Sequence, residues 1–267
     1  MPYPNKETDP SAPVLCWREG PVAHIRFNRP DALNAIDVPM AQAFLAACSH
    51  ITDDPLVRAV WVGATGRAFM AGGDLAALHH DPVGVAQRLI EGMHGGLLLL
   101  AALEAPVVAS VNGAVVGAGL GVLLGCDLAI AAEGTRFGIA YPLVGASCDC
   151  SVSWGLPRVV GLRKALELAL LAEGFDASEA LRLGLVNWVV PLAELQAQTE
   201  RVIQRLSEGP TAALGHVKRL MRASLQSDLG THLNAEAQSF LTCATTLDFA
   251  EGTGAFLTKR QPIFTGC

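Results

Sequence analysis

APVVASVNGAVVGAGLGVLLGC, residues 105–126, runs for 22 positions without a charged side chain, and its reading decides the fold. As one apolar helix it would be long enough to cross a bilayer. Its internal punctuation favours a different structure. Val107–Val111 is a short β-type run, Asn112-Gly113 is a turn pair, and a glycine-rich segment opens a short helix from about position 118. A buried strand, turn and helix is therefore expected, with no membrane span. Small residues where a strand turns into a helix leave the first amide N–H groups unpaired, and the helix dipole favours negative charge beside them. Residues 111–121 thus predict an anion site made of backbone.

On either side of this stretch, strands and helices alternate. Strands are expected at 14–17 and 22–27, joined through Glu19-Gly20-Pro21, and Asp37 caps a helix over roughly 38–51. A strand at 59–63 and a helix near 83–103 precede the decisive segment. A strand at 127–132, helical segments around 151–171, a helix from Ala177 and a strand at 186–190 follow it. Strands separated by helices predict an α/β architecture with crossover connections. From Leu192 the pattern is helical only, at 192–207, 210–225 and 230–247, with Gly209-Pro210 and Gly230 as breaks. An α/β core over 1–191 and a helical C-terminal region over 192–267 are the expected parts.

The chain has 267 residues, of which 51% are apolar, enough for a large buried core. Only 16% are charged, against roughly 25% in ordinary soluble domains, which predicts surface buried between subunits. A formal charge of −6 and the lack of a Lys/Arg-rich run exclude a nucleic-acid footprint. Seven cysteines, an odd number without zinc-type paired spacing, and an N-terminus MPYPNKETDPSAP without basic and apolar leader segments fit a reducing cytoplasm. His79-His80 has no carboxylate or cysteine at ligand spacing, so no metal is expected.

A second glycine-rich segment, Gly66-Arg67-Ala68-Phe69-Met70-Ala71-Gly72-Gly73-Asp74-Leu75, follows the strand at 59–63. Adjacent glycines let backbone approach a ligand closely, or simply form a tight turn. Other glycine motifs are absent. A dinucleotide fingerprint would need glycine at Val122 or Leu124, no GxxxxGK[ST] occurs, and around Ser147 the final glycine of GxSxG is Asp149.

Together the two loops and the strands before them resemble the signature loops of the enoyl-CoA hydratase/isomerase (crotonase) superfamily. The resemblance starts at Asn28-Arg29-Pro30-Asp31-Ala32-Leu33-Asn34-Ala35, similar to the family's NRP…LNA segment, and continues through 67–75 and 106–127. It runs on over Phe137-Gly138, Leu156-Pro157-Arg158-Val159-Val160-Gly161 and Gly184-Leu185-Val186-Asn187, and ends at Gly254-Ala255-Phe256-Leu257-Thr258-Lys259-Arg260. It implies a spiral of ββα units with a helical C-terminal trimerisation region, assembled as a trimer or dimer of trimers. It also implies an acyl-CoA substrate, no separate cofactor, and an oxyanion hole at the Gly73 and Ala118 amides. Ala32, Ala71, Gly72, Asp74, Leu75 and Gly117 share those segments and are expected around the substrate; Asp74 is also suited to bonding its own loop. Arg29 and Lys259 are candidates for CoA phosphates, and Phe256 for the CoA end of a pocket, its own or a neighbour's.

The pattern also breaks. Hydratases of the family use two glutamates to add water across a double bond, and the matching positions are Gly121 and Tyr141. Asp149 remains. An aspartate there resembles isomerase branches, in which it moves a proton, and the 4-chlorobenzoyl-CoA dehalogenases, in which it attacks the ring. His94 falls where those dehalogenases place a water-activating histidine, and Tyr141 where they place an aromatic residue. They put a bulky aromatic where Gly73 stands. The expected function is therefore enoyl-CoA isomerisation, with dehalogenation, other hydratase-like chemistry and non-catalytic acyl-CoA binding as alternatives.

Overall fold

The computed structural model describes Tyr3, Asp9 and residues 11–267, so most of the segment read for a leader lies outside the described residues. The chain enters through a hairpin of Val14–Glu19 (β1) and Val22–Phe27 (β2), turning at Gly20 with φ +55°. Val38–Thr52 (α1) is capped by Asp37, whose carboxylate accepts the Met40 amide at 2.9 Å. Ala59–Ala64 (β3) leads to Leu75–His80 (α2) and to the long Pro82–Ala102 (α3), capped by Asp81. Next come Val107–Val111 (β4), Ala114–Val116 (β5), Ala118–Gly125 (α4), Leu128–Ala132 (β6) and Arg136–Gly138 (β7). Val152–Val160 (α5), Leu162–Leu171 (α6), Phe175–Asp176 (β8), Ala177–Arg182 (α7) and Trp188–Val190 (β9) follow. The rest is helical: Leu195–Ser207 (α8), Thr211–Ala223 (α9), Leu229–Ala244 (α10) and Leu247–Thr258 (α11).

Among the described residues the strands form two sheets, ordered β1-β2-β3-β4-β6-β9 and β5-β7-β8. The main sheet is parallel beyond its β1–β2 hairpin. β4 lies inside it with all five residues buried, which is why it reads as an unbroken apolar run. β2, β3, β4 and β6 are each followed by a short piece of the inner layer and then a helix. β4, β5 and α4 are one such unit, and β6, β7 and α5 the next. After β3 the inner piece is the bridge of Met70 to Val115, and after β2 the bridge of Ile36 to Gly73. These ββα units wind into the spiral expected for the superfamily, bringing the loops after successive inner pieces to one place.

The helices are locked by close packing. A Cβ on Gly92 of α3 would lie 2.6 Å from the Ala41 carbonyl of α1, and one on Gly96 would collide with the Phe44 ring. Phe27, Phe44 and Phe69 are fully buried behind this contact. On the opposite face of the main sheet, α8 sets Leu195 and Ile203 over Ala59, Trp61, Val108 and Ile130. α9 is pinned by charge: Lys218 Nζ lies 2.9 Å from Asp127 and donates to the Leu100 carbonyl at 3.0 Å, while Arg222 reaches Asp127 at 2.7 Å. Burial pulls the Lys218 ammonium below its usual pKa, with Asp127 opposing that shift.

The structure corrects the sequence expectation at several elements. Residues 105–126 form the expected strand and helix as β4 and α4 and differ only by the short β5 between them, and among the described residues no helix is long and apolar enough to cross a membrane. The strand placed at 186–190 begins at Trp188, because Leu185 and Val186 are consumed as buried turn residues. Gly230 breaks nothing: Asp228 caps α10 and Gly230 lies in its first turn. Helices α2 and α11 had not been anticipated. α2 is only six residues long, and α11 is interrupted in sequence by Gly252 and Gly254.

Candidate active site

The first site loop is held from behind by backbone bonds. The Ala71 amide donates to the Leu33 carbonyl at 3.1 Å, Ile36 donates to the Gly72 carbonyl at 2.8 Å, and Asp74 donates to the Ile36 carbonyl at 2.9 Å. Ile36 thus takes both bonds of a parallel bridge from the neighbours of Gly73, so Gly73 turns its own N–H away from that strand. Gly72 makes the bend with φ +106°, a value that L side chains rarely adopt. The second loop is pinned by the Gly117 amide donating to the Gly138 carbonyl at 3.0 Å, with Gly117 at φ +56°. Ala118 is then the first residue of α4, where an amide has no carbonyl one turn behind it. Among the described residues neither the Gly73 nor the Ala118 amide has a backbone acceptor.

Gly73 and Ala118 line one cavity of about 310 Å³, within the size range of small-ligand sites. Ala71, Gly72, Leu75, Gly117, Tyr141 and Asp149 line it too. Its apolar wall comes from Leu75 and Leu78 on α2 and from Ala86, Leu89, Ile90 and Met93 on α3. The α3 residues follow the i, i+3, i+4, i+7 spacing of one helix face. That periodicity was the signal available for wall residues missed in the sequence.

Asp149 is the carboxylate in this lining. Tyr141 Oη donates to its Oδ1, and the Tyr141 carbonyl accepts the Ala146 amide at 3.0 Å, fastening the phenol's own turn. Burial, reinforced by the neighbouring Asp149 charge, drives the Tyr141 phenol far above its usual pKa, so it remains a donor. Burial likewise raises the Cys150 thiol, and Asp149 adds to the shift. His94, on α3, accepts the Cys150 amide at its Nε2, 3.1 Å away. His94, Asp149 and Cys150 bring a nitrogen, an oxygen and a sulfur within 4.8 Å of one another, the one such group among the described residues with the composition of a metal-binding set.

Neither glutamate position of the hydratases offers a carboxylate, and one of them has no room for a side chain. A Cβ on Gly121 would collide with the Cys150 carbonyl oxygen and lie 2.8 Å from the Cys150 Cβ. The turn after Asp149 occupies the space that a glutamate would enter.

Other sequence candidates lie outside the lining. The Arg29 guanidinium is 3.2 Å from both Asp37 and Asp74 and also donates to the Ala35 carbonyl, so it ties the 35–37 segment to the loop that carries Gly73. Asp74 caps α2 by accepting the Ala77 amide at 3.3 Å. Ala32 closes the 3-10 turn Pro30–Ala32, with its amide on the Arg29 carbonyl. Phe256 is 82% exposed on α11, and Lys259 ends that helix with φ +54°. Within this single chain both stand apart from the cavity lining.

Two amide donors and a carboxylate meet in one apolar cavity on a ββα spiral, and the whole chain follows the same pattern as known proteins. The chain belongs to the enoyl-CoA hydratase/isomerase family, whose sequence profile matches residues 18–267, and as such it is an acyl-CoA enzyme. It is 35% identical over 258 residues to the 1,2-epoxyphenylacetyl-CoA isomerase of Escherichia coli K12, covering 95% of this chain and 98% of that protein. It is 32% identical to 4-chlorobenzoyl coenzyme A dehalogenase-2 of an Arthrobacter species, over 90% of this chain and 88% of that one. The crystal structure of an enoyl-CoA hydratase from Mycobacterium smegmatis superposes with a TM-score of 0.89 at 31% identity, covering 94% of this chain and 98% of that one.

Proposed function

We propose that the chain isomerises an enoyl-CoA by moving a proton with a single carboxylate, Asp149. The observation that carries this reading is that Asp149 lines the same cavity as Gly73 and Ala118, while Gly121 and Tyr141 leave no glutamate pair to add water. The thioester carbonyl oxygen lies between the Gly73 and Ala118 amides. Asp149 removes a proton from the α-carbon of a β,γ-unsaturated ester. The C–H electron pair enters the conjugated system and the charge collects on the carbonyl oxygen, where the amides stabilise it more than in the ground state. The protonated Asp149 then returns the proton to the γ-carbon, and the double bond becomes conjugated with the thioester. One carboxylate suffices because both carbons belong to the same short allylic unit and no water is consumed.

The E. coli relative carries the name of a CoA-ester isomerase, in agreement with this reading. The test is a set of CoA esters in deuterated water: a β,γ-hexenoyl, a crotonyl and a 4-chlorobenzoyl thioester. Formation of the conjugated hexenoyl isomer is expected, with deuterium at the γ-carbon to the extent that the Asp149 proton exchanges with solvent before its return, without net hydration of the crotonyl ester and without chloride release. A hydroxyacyl product, or chloride, in place of isomer would sink the proposal, and binding without conversion would leave an acyl-CoA-binding protein.

We also propose assembly as a homotrimer or a dimer of trimers through the helical region from 192 onward. Met221, Leu229, Phe240 and Phe256 are 70%, 74%, 64% and 82% exposed in the single chain. Apolar surface of this extent is covered in solution. Light scattering at micromolar concentration is expected to give three or six chain masses; one chain mass would overturn this.

A further inference from the structure

Asp149 is presented by a turn whose backbone runs against its own preference. Cys150 and Ser151 follow it with φ of +47° and +67°, consecutive residues with side chains in the left-handed region. Such conformations persist only where the surroundings over-determine them. Several bonds hold this turn. The Val152 amide donates to the Asp149 carbonyl at 3.0 Å and the Gly155 amide to the Ser151 carbonyl at 2.7 Å. Ser151 Oγ donates to the Gly121 carbonyl at 3.3 Å, against which the Cys150 backbone is packed. Those contacts fix the far side of the turn. On the near side the Cys150 amide, next after Asp149, donates to His94 Nε2 at 3.1 Å.

His94 comes from α3, and α3 is locked onto α1 through Gly92 and Gly96, so the imidazole is mounted on a rigid support. An Nε2 that accepts from an amide has its lone pair directed at that N–H, and the ring proton resides on Nδ1. The basic nitrogen of the ring is therefore committed to the backbone and not free to take a proton from water or substrate. Tyr141 grips the carboxylate itself through Oδ1.

We propose that His94 is a positioning residue for Asp149: its Nε2 holds the Cys150 amide and thereby fixes the left-handed turn that aims the carboxylate into the cavity. The proposal rests on the reading of Asp149 as the proton-transferring group, and it assigns His94 a part different from activating water. Holding a base in place is worth much of its rate, since a displacement of about 1 Å can cost about 10²-fold.

The experiment compares His94→Gln with His94→Leu on β,γ-hexenoyl-CoA, with thermal unfolding as a check on the fold. Glutamine can set a carbonyl oxygen near the Nε2 position and accept the amide, but it cannot act as a base. His94→Gln is expected to keep kcat within about fivefold of the unmodified enzyme, and His94→Leu to lose about 10²-fold, with KM little changed in both. Equal losses in both variants would assign the imidazole a chemical step and overturn the proposal. Full activity in His94→Leu would overturn it as well. Should the leucine variant not fold, nitrogen-15 NMR of the unmodified protein decides: His94 Nε2 is expected at the shift of an unprotonated nitrogen, and a protonated Nε2 overturns the proposal. Asp149→Asn, measured alongside, separates the two claims. Full turnover by that variant removes the base reading, and with it this proposal, even where the NMR finds the His94–Cys150 bond intact.

Discussion

Asp149→Asn is expected to lower isomerisation of β,γ-hexenoyl-CoA by about 10²–10⁴-fold, the usual worth of a positioned acid/base group. The substitution keeps the shape of the side chain and leaves an oxygen to accept from Tyr141 Oη, so the local geometry is retained. It removes the group proposed to take the proton. CoA-ester binding, measured by calorimetry, is expected to change little because the amide donors and the apolar wall are untouched. Exchange of substrate protons with deuterated water is expected to fall in parallel with turnover. A dehalogenase would instead form an aryl ester on Asp149, visible as added mass on the intact chain in the unmodified protein only. Wild-type turnover in the asparagine variant would place the base elsewhere.

Ala118→Pro is expected to cost about 10²–10³-fold in kcat by deleting one of the two proposed oxyanion donors. Position 118 is well suited to this test. It is the first residue of α4, where proline's fixed φ and missing N–H are tolerated, and the residue before it is the permissive Gly117. Helix content by circular dichroism is expected to remain unchanged. A conjugated arylacryloyl-CoA reports on the hole directly, because polarisation of its carbonyl moves its absorption to longer wavelength. That shift is expected on binding to the unmodified protein and to be lost in the variant. Retention of full kcat and of the absorption shift would show that the carbonyl is held by something other than these amides.

Much of this arrangement was legible in the sequence because it is written in backbone-determining residues. Val107–Val111 favours extended backbone while Gly113 and Gly117 admit the positive φ of the turns, and the strand, turn and helix start followed from them almost to the residue. Gly72-Gly73 was ambiguous by itself. Its role was implied only by the family resemblance, and the bridge to Ile36 that turns the Gly73 amide outward is a contact across more than thirty positions that no local pattern encodes. Short inner strands such as β7 and β8 stayed hidden because two or three residues carry no measurable periodicity. Arg29 looked like a free cation from its surroundings in sequence. Its commitment to Asp37 and Asp74 depends on how two loops meet. The grip of Tyr141 and His94 on residues 149 and 150 was equally out of reach, since it joins α3, a 3-10 turn and the segment before α5.

The contact of Gly121 with Cys150 sets the order in which this protein could change its chemistry. A glutamate cannot be introduced at 121 while the Cys150 carbonyl occupies the position of its Cβ, so that single replacement is expected to displace the turn and to disarm Asp149 at the same step. Withdrawing the turn first loses Asp149 before any second carboxylate has arrived. A glutamate at 121 and a correctly aimed Asp149 therefore exclude one another, and no stepwise route from a one-carboxylate site to a two-glutamate site passes through a variant that holds both. A designer wanting water addition from this scaffold would have to exchange position 121 and the 147–151 segment together, with the glutamate at 141 supplied in a separate step.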